Sequence, residues 1–172
     1  MIERINSLNN PNFFFLNYSS SDLIVNNFIV IPKHYFTNDI IEKRIPLGQN
    51  ARRAGWVGCN ILVQDIPESG KIHIVKNRQI EPLEQVMKKW EKTYFLADQK
   101  QKNRSWIIEI MRILDKIEKI NFTLSEVYKY ESELQKKFPN NKFIKDKIRQ
   151  QLQLLRDKGL IEFRGNGKYS KL

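Results

Sequence analysis

Two arginines stand close to a tryptophan in the stretch ARRAGWVGCN, residues 51–60. Trp56 has Gly55 before it and Gly58 two residues after, so little side-chain bulk crowds its ring and a flat or apolar group has room to approach. Arg52 and Arg53 are suited to a guanine edge or a phosphate beside such a ring. Spacing alone leaves two readings open: an aromatic reader flanked by cations, or a core tryptophan with surface charges next to it.

A second set of residues with chemistry to offer lies in NKFIKDKIRQQLQLLRDK. At about 100° per residue, Ile144, Ile148, Leu152 and Leu155 fall on one face of a helix. Lys142, Lys145, Asp146, Arg149, Gln153 and Arg156 fall together on another. The first set must be buried, which leaves the second as an outward basic strip carrying an amide. Arginine and lysine match guanine edges and phosphates, and glutamine matches adenine edges. Arg164 and Lys168 bracket an RGNG turn further on and would meet the adjacent backbone. The other candidates are weaker. His34 and His73 lie far apart with no ligand spacing around them, and are expected at the surface or on a strand. Cys59 is the only cysteine, so no intrachain disulfide or cysteine zinc site can form, and it is expected to be buried and inert. Trp90 is read as a core residue, and Trp106 as core or as a second aromatic at the DNA surface.

These residues need elements to hold them. NFFFLNY, a turn at SSSD and LIVNNFIVIP read as two strands, their continuous apolar runs suiting cover on both faces. GCNILV (58–63) and KIHIV (71–75) are two more short strands, and PLEQVMKKWEKTYFL has helical spacing through Leu83, Val86, Met87, Trp90 and Tyr94. ADQKQKNRS is polar throughout and is read as the linker, so that residues 1–98 form one domain, 99–104 the link and 105–172 a second domain. In the second, SWIIEIMRILDKIEKI is a helix with Ile107, Ile110, Ile113, Leu114 and Ile117 on one face. NFT is extended, and Thr123 with Glu126 makes a capping box that opens the next helix through Leu124, Val127, Tyr128 and Leu134. The third helix stops at Gly159, and LIEF and KYSKL pair across the glycine turn. Helix, helix, helix and a strand pair is the order of a winged helix-turn-helix. Such a domain binds DNA, or serves protein contacts alone.

Charge separates the two parts. The chain of 172 residues carries a net charge of +11, with +2 in residues 1–99 and +9 in residues 100–172. The basic excess favours a polyanionic partner and places it mainly with the second domain. No apolar run approaches the roughly 18 residues that a bilayer requires, and MIERINSLNN lacks the pattern of a secretory signal. A cytoplasmic protein without a membrane partner is expected.

NNPNFFFL, ARRAGWVGCNI, FTLSEVYKYES and KIRQQLQLLRDKGLIEFRGNGKYSKL together resemble the DpnI family of methyl-directed restriction endonucleases, from about Asn9 to Leu172. The resemblance implies an α+β protein: part of a restriction-endonuclease-like, PD-(D/E)xK mixed sheet followed by a winged helix-turn-helix. It implies double-stranded DNA as the partner, methylated at adenine within GATC. It also carries the tryptophan stretch at the DNA-facing side of the nuclease domain onto Trp56. DNA-binding residues are accordingly expected at Arg52, Arg53, Trp56, Lys142, Lys145, Arg149, Gln153, Arg164 and Lys168.

One part of the pattern is missing. In the family, the metal-binding acids, a Glu-x-Lys and a cysteine zinc cluster precede the NNPNFFFL strand, whereas Met1 stands a few residues before it here. No Glu-x-Lys occurs, Asp98 and Lys100 have similar spacing only within the linker, and Asp39 and Glu42 have no third ligand. Metal-dependent phosphodiester cleavage needs carboxylates around an ion and a water. The expectation is therefore a chain without catalytic or metal-binding residues or a cofactor of its own, although the full-length family enzymes imply Mg²⁺. It reads as the C-terminal, DNA-binding portion of a truncated type II restriction enzyme, with a separate chain as one possible source of the nuclease segment. A free-standing winged-helix DNA-binding protein or regulator is the alternative.

Overall fold

A computed structural model describes residues 10–172. The chain divides into two compact units, Met1–Trp90 and Glu91–Leu172. Every strand pair among the described residues is antiparallel. No helix among them is long and apolar enough to cross a membrane.

In the first unit, β1 (Phe13–Tyr18) and β2 (Val25–Ile31) pair with Phe13 opposite Ile31 and Leu16 opposite Phe28. β2 then pairs with β5 (Ile72–Lys76), and β5 with β6 (Gln79–Ile80), giving the order β1-β2-β5-β6. The expectation that the NFFFLNY strand is covered on both faces does not hold. β1 lies at the sheet edge, and Phe14, Leu16 and Tyr18 on its alternate positions are each more than half exposed. Phe13 turns the other way, its ring 5.3 Å from that of Phe36. A continuous apolar run cannot specify how many of its faces find a neighbour.

The core of this unit is Val30, Ile31, Tyr35, Phe36, Ile40, Ile66 and Ile72. Gly70 is required by close approach: a Cβ there would lie 2.8 Å from both Ile66 and Tyr35. His34 is also buried, with its ring 5.2 Å from Tyr35 and 6.2 Å from Trp90, so the expected surface histidine is a core residue. It lies in the short 3-10 turn Lys33–Tyr35 that follows Pro32. Trp90 and Cys59, both read as buried, are half-buried. Trp90 belongs to α1 (Leu83–Thr93), whose Leu83 and Met87 are exposed despite their helical spacing.

The second unit follows the winged-helix order. α2 (Gln101–Lys116) starts four residues before the helix read from apolar spacing, because Gln, Lys and Arg are good helix formers and prolong it through the polar stretch. Trp106 is 1 % exposed and stacks on Phe138 at 3.9 Å. β7 (Asn121–Thr123) leads into α3 (Leu124–Tyr128) through the capping box, with Thr123 Oγ1 accepting from the Glu126 N–H and Glu126 accepting from the Thr123 N–H. The next helix is not continuous as expected. It breaks at Lys129 and Tyr130 and resumes as α4 (Glu131–Lys137). α5 (Ile144–Asp157) buries Ile144, Ile148, Leu152 and Leu155, all at 3 % exposure or less. It ends in a Schellman motif: Gly159, at φ +68°, donates to Arg156, and Leu160 donates to Leu155. β8 (Ile161–Gly165) and β9 (Lys168–Lys171) form the wing in a sheet of order β7-β9-β8. Asn166 and Gly167 both have positive φ, as a two-residue hairpin turn of this twist requires.

A charged network clamps the helices. Glu109, 1 % exposed, accepts from Arg112 and Lys137, while Glu133 accepts from Arg112 and Lys116. Burial alone would weaken the Arg112 charge, but hydrogen bonding and proximity to Glu109 and Glu133 outweigh it and raise its pKa. Hydrogen bonding from Lys116 lowers that of Glu133. α2 and α4, and hence the fold that presents α5, are tied by these contacts.

Candidate nucleic-acid interface

The first candidate surface is the outward side of α5 with the wing. The turns that bury Ile148 and Leu152 leave Lys145, Arg149, Gln153 and Arg156 exposed, as the periodicity predicts. Lys142, read as part of this helix, stands outside it, before the Phe143 cap, and is exposed there. Arg164 and Lys168 are exposed on the wing strands, on either side of its turn. Much of this charge is already paired. Lys145 Nζ stands 3.3 Å from Glu131 and 5.6 Å from the Tyr128 ring centroid. Arg149 pairs with Asp146, Arg156 with Asp157 at 2.8 Å, and Arg164 with Glu162 at 2.8 Å. Exposed pairs of this kind hold weakly in water, so a phosphate can displace the carboxylate. Among the described residues, Lys142, Gln153 and Lys168 have side chains with no ion pair or hydrogen bond. Lys147 does not belong to the strip. It donates to Asn103 at 3.2 Å and to Gln150 at 2.7 Å, and burial, then Lys102, lowers its pKa.

The second surface is an arm in the first unit. β3 (Ile41–Lys43) pairs with β4 (Cys59–Ile61), and Asn60 donates to Glu42 across the pair at 2.9 Å. The ladder continues past the strands: Arg44 N–H donates to Gly58 at 3.0 Å and Leu47 N–H to Trp56 at 2.9 Å. Gly55, at φ +77°, donates back to Leu47, and Trp56 N–H donates to Arg53 at 3.0 Å. The arm holds Arg52, Arg53 and Trp56 outward. Trp56 is 51 % exposed, Ile45 is 90 % exposed, and Leu47 and Val57 are exposed as well. The reading of Trp56 as a core residue therefore fails. Arg44 joins this surface and was missed from sequence, because only the hairpin register brings it opposite Gly58. Among the described residues no carboxylate lies within ion-pair reach of Arg44, Arg52 or Arg53. A half-open aromatic ring on an arm with three arginines unpaired among the described residues can take an apolar group on its face and phosphates or guanines beside it.

Mg²⁺, implied by the resemblance, would need convergent carboxylates. Among the described residues no three His, Cys, Asp or Glu side chains come together. Glu42 is engaged by Asn60, and Asp98 lies exposed in a turn. The described residues do not fit the ion.

Two known families match stretches of the chain. Residues 1–99, which include the arm, match the DpnI family, described as the Dam-replacing family. Residues 102–171, which include α5 and the wing, match the Dam-replacing HTH domain. The helix-turn-helix is a DNA-binding module, and with both matches in place the chain belongs to the DpnI, or Dam-replacing, family of DNA-binding, methyl-directed restriction-related proteins.

Proposed function

We propose that this protein binds duplex DNA at GATC and reads the N6-methyl group of adenine with the Trp56 arm. The observation that supports the reading best is the half-exposed indole on an arm whose three arginines have no carboxylate partner among the described residues. The methyl group projects from the exocyclic amine into the major groove. Burying it is worth about 0.8 kcal/mol, and contact with an aromatic face adds to this. A palindromic site methylated on both strands offers two such groups. In this reading α5 lies in a major groove, with Lys145, Arg149 and Gln153 toward base edges and Lys142, Arg164 and Lys168 toward the backbone.

Hydrolysis of the backbone is not assigned to these residues. Carboxylates holding Mg²⁺ would come from another segment or a separate chain. The lack of an acidic cluster among the described residues also favours a second reading, a DNA-binding regulator built from the same parts. Titrating the protein with methylated and plain GATC duplexes at one salt concentration tests the methyl reading. A preference of about 5- to 30-fold for the methylated duplex, corresponding to about 1–2 kcal/mol, is expected. Trp56→Ala should abolish most of it and spare non-specific affinity. Equal wild-type affinities, or an unchanged preference in Trp56→Ala, would remove Trp56 as the reader.

A further inference from the structure

Gly58 is not one of the positive-φ glycines, so its lack of a side chain is not needed for backbone freedom. What it provides is space. A Cβ built on Gly58 would lie 2.9 Å from Trp56 Cζ3, closer than real Cβ atoms sit, and a tight 3.0 Å from Cη2. The same point is 3.4 Å from Arg44 Cδ. The edge of the indole therefore occupies the volume that a residue-58 side chain would take, with the stem of Arg44 on another side. Arg44 is tied opposite Gly58 by its backbone N–H. One side of the ring is thereby seated on the arm while half of the residue remains open to solvent.

We propose that Gly58 is a positioning residue for Trp56: it forms the seat, walled by the stem of Arg44, that presets the indole for its ligand. The proposal rests on the reading of Trp56 as the methyl contact. Preorganisation is its physical basis, since immobilising a side chain on binding lowers affinity by about 2- to 10-fold. A ring already seated avoids that loss, and it does so only for the duplex whose methyl group it touches.

The test uses the full chain and 16- to 20-base-pair GATC duplexes, a length of about two helical turns. Methylated and plain duplexes are titrated with wild type, Trp56→Ala, Gly58→Ala, Arg44→Ala and Arg44→Met, and the three indole N–H signals are followed by NMR. Gly58→Ala should lower the methylated-to-plain ratio by about 3-fold or more with plain-duplex affinity unchanged. The Trp56 signal should move while those of Trp90 and Trp106 stay in place. Arg44→Met keeps the stem and should weaken both duplexes with the ratio preserved, whereas Arg44→Ala should lower the ratio too. A preserved ratio in folded Gly58→Ala, with Trp56→Ala having lost it, would overturn the positioning role and leave the methyl reading standing. A preserved ratio in Trp56→Ala would overturn both. If the Trp90 signal is lost in Gly58→Ala, the Arg44 variants decide: equal ratios in Arg44→Ala and wild type would overturn the proposal.

Discussion

Removing the carboxylate that holds Lys145 should tighten DNA binding. Glu131 stands at the start of α4, 3.3 Å from the Lys145 ammonium, with both side chains about half exposed at 43 % and 54 %. At that separation the attraction is about 1.3 kcal/mol in the dielectric of water. Salt and side-chain entropy reduce it to about 0.2–1 kcal/mol. A phosphate must displace Glu131 or share the lysine with it, so Glu131→Gln should raise affinity for any duplex by about 1.5- to 5-fold at low salt. The gain should fade at high salt, where screening removes the competing pair. Lys145 should stay near its place, since its ammonium also lies over the Tyr128 ring at 5.6 Å. The same substitution should cost about 0.3–1 kcal/mol of stability, because Glu131 sits in the first turn of α4 and favours its dipole. Fluorescence anisotropy over a salt series is the assay, with Lys145→Ala and the double variant completing a cycle. If the strip and wing meet five or six phosphates, the wild-type log–log slope should be near −5. A gain of the same size in the Lys145→Ala background would show a general charge effect. Unchanged or weaker binding by Glu131→Gln would place Lys145 outside the interface.

The protein alone, incubated with Mg²⁺ and methylated plasmid, should leave the DNA uncut, since no acidic cluster forms among the described residues; metal-dependent cutting at fixed sites would overturn this. Glu109→Ala should destabilise the winged helix by about 3–5 kcal/mol in urea unfolding, because it takes the carboxylate from Lys137 and leaves Arg112 with Glu133 alone beside a buried site, and a loss below about 1 kcal/mol would contradict the clamp. Stability should also fall in acid. The carboxyl of Glu126, held by the Thr123 N–H, and that of Glu133, held by Lys116, both have folded pKa values below the ordinary 4.5. Their contribution is complete above that ordinary value and disappears as pH drops through the lowered ones. The Tm of the double variant Glu126→Gln, Glu133→Gln should decline less steeply below pH 4.5 than that of wild type; parallel curves would refute the assignment.

The winged helix was legible because its signals are local. The period of α5 assigns Ile148 and Leu152 inward and Arg149 and Gln153 outward without knowledge of what lies across from them. The Thr123–Glu126 capping box, the Gly159 stop and the Asn166–Gly167 turn each close within a few residues. Tertiary structure decided whatever depends on a distant neighbour. NFFFLNY reads as a strand, but only its place at the edge of the β1-β2-β5-β6 order exposes Phe14, Leu16 and Tyr18. His34 is polar in sequence and buried by the rings of Tyr35 and Trp90. Lys145 and Glu131 belong to different helices, so their pairing is not written in either helix's period. The arm shows both sides of the division. Composition marked Arg52, Arg53 and Trp56 as chemically able, while the register of the β3–β4 ladder brought in Arg44 and made the missing side chain of Gly58 the seat of the indole. Local backbone preferences act over one or two turns and can be read residue by residue; pairing and packing between remote segments follow from the whole fold.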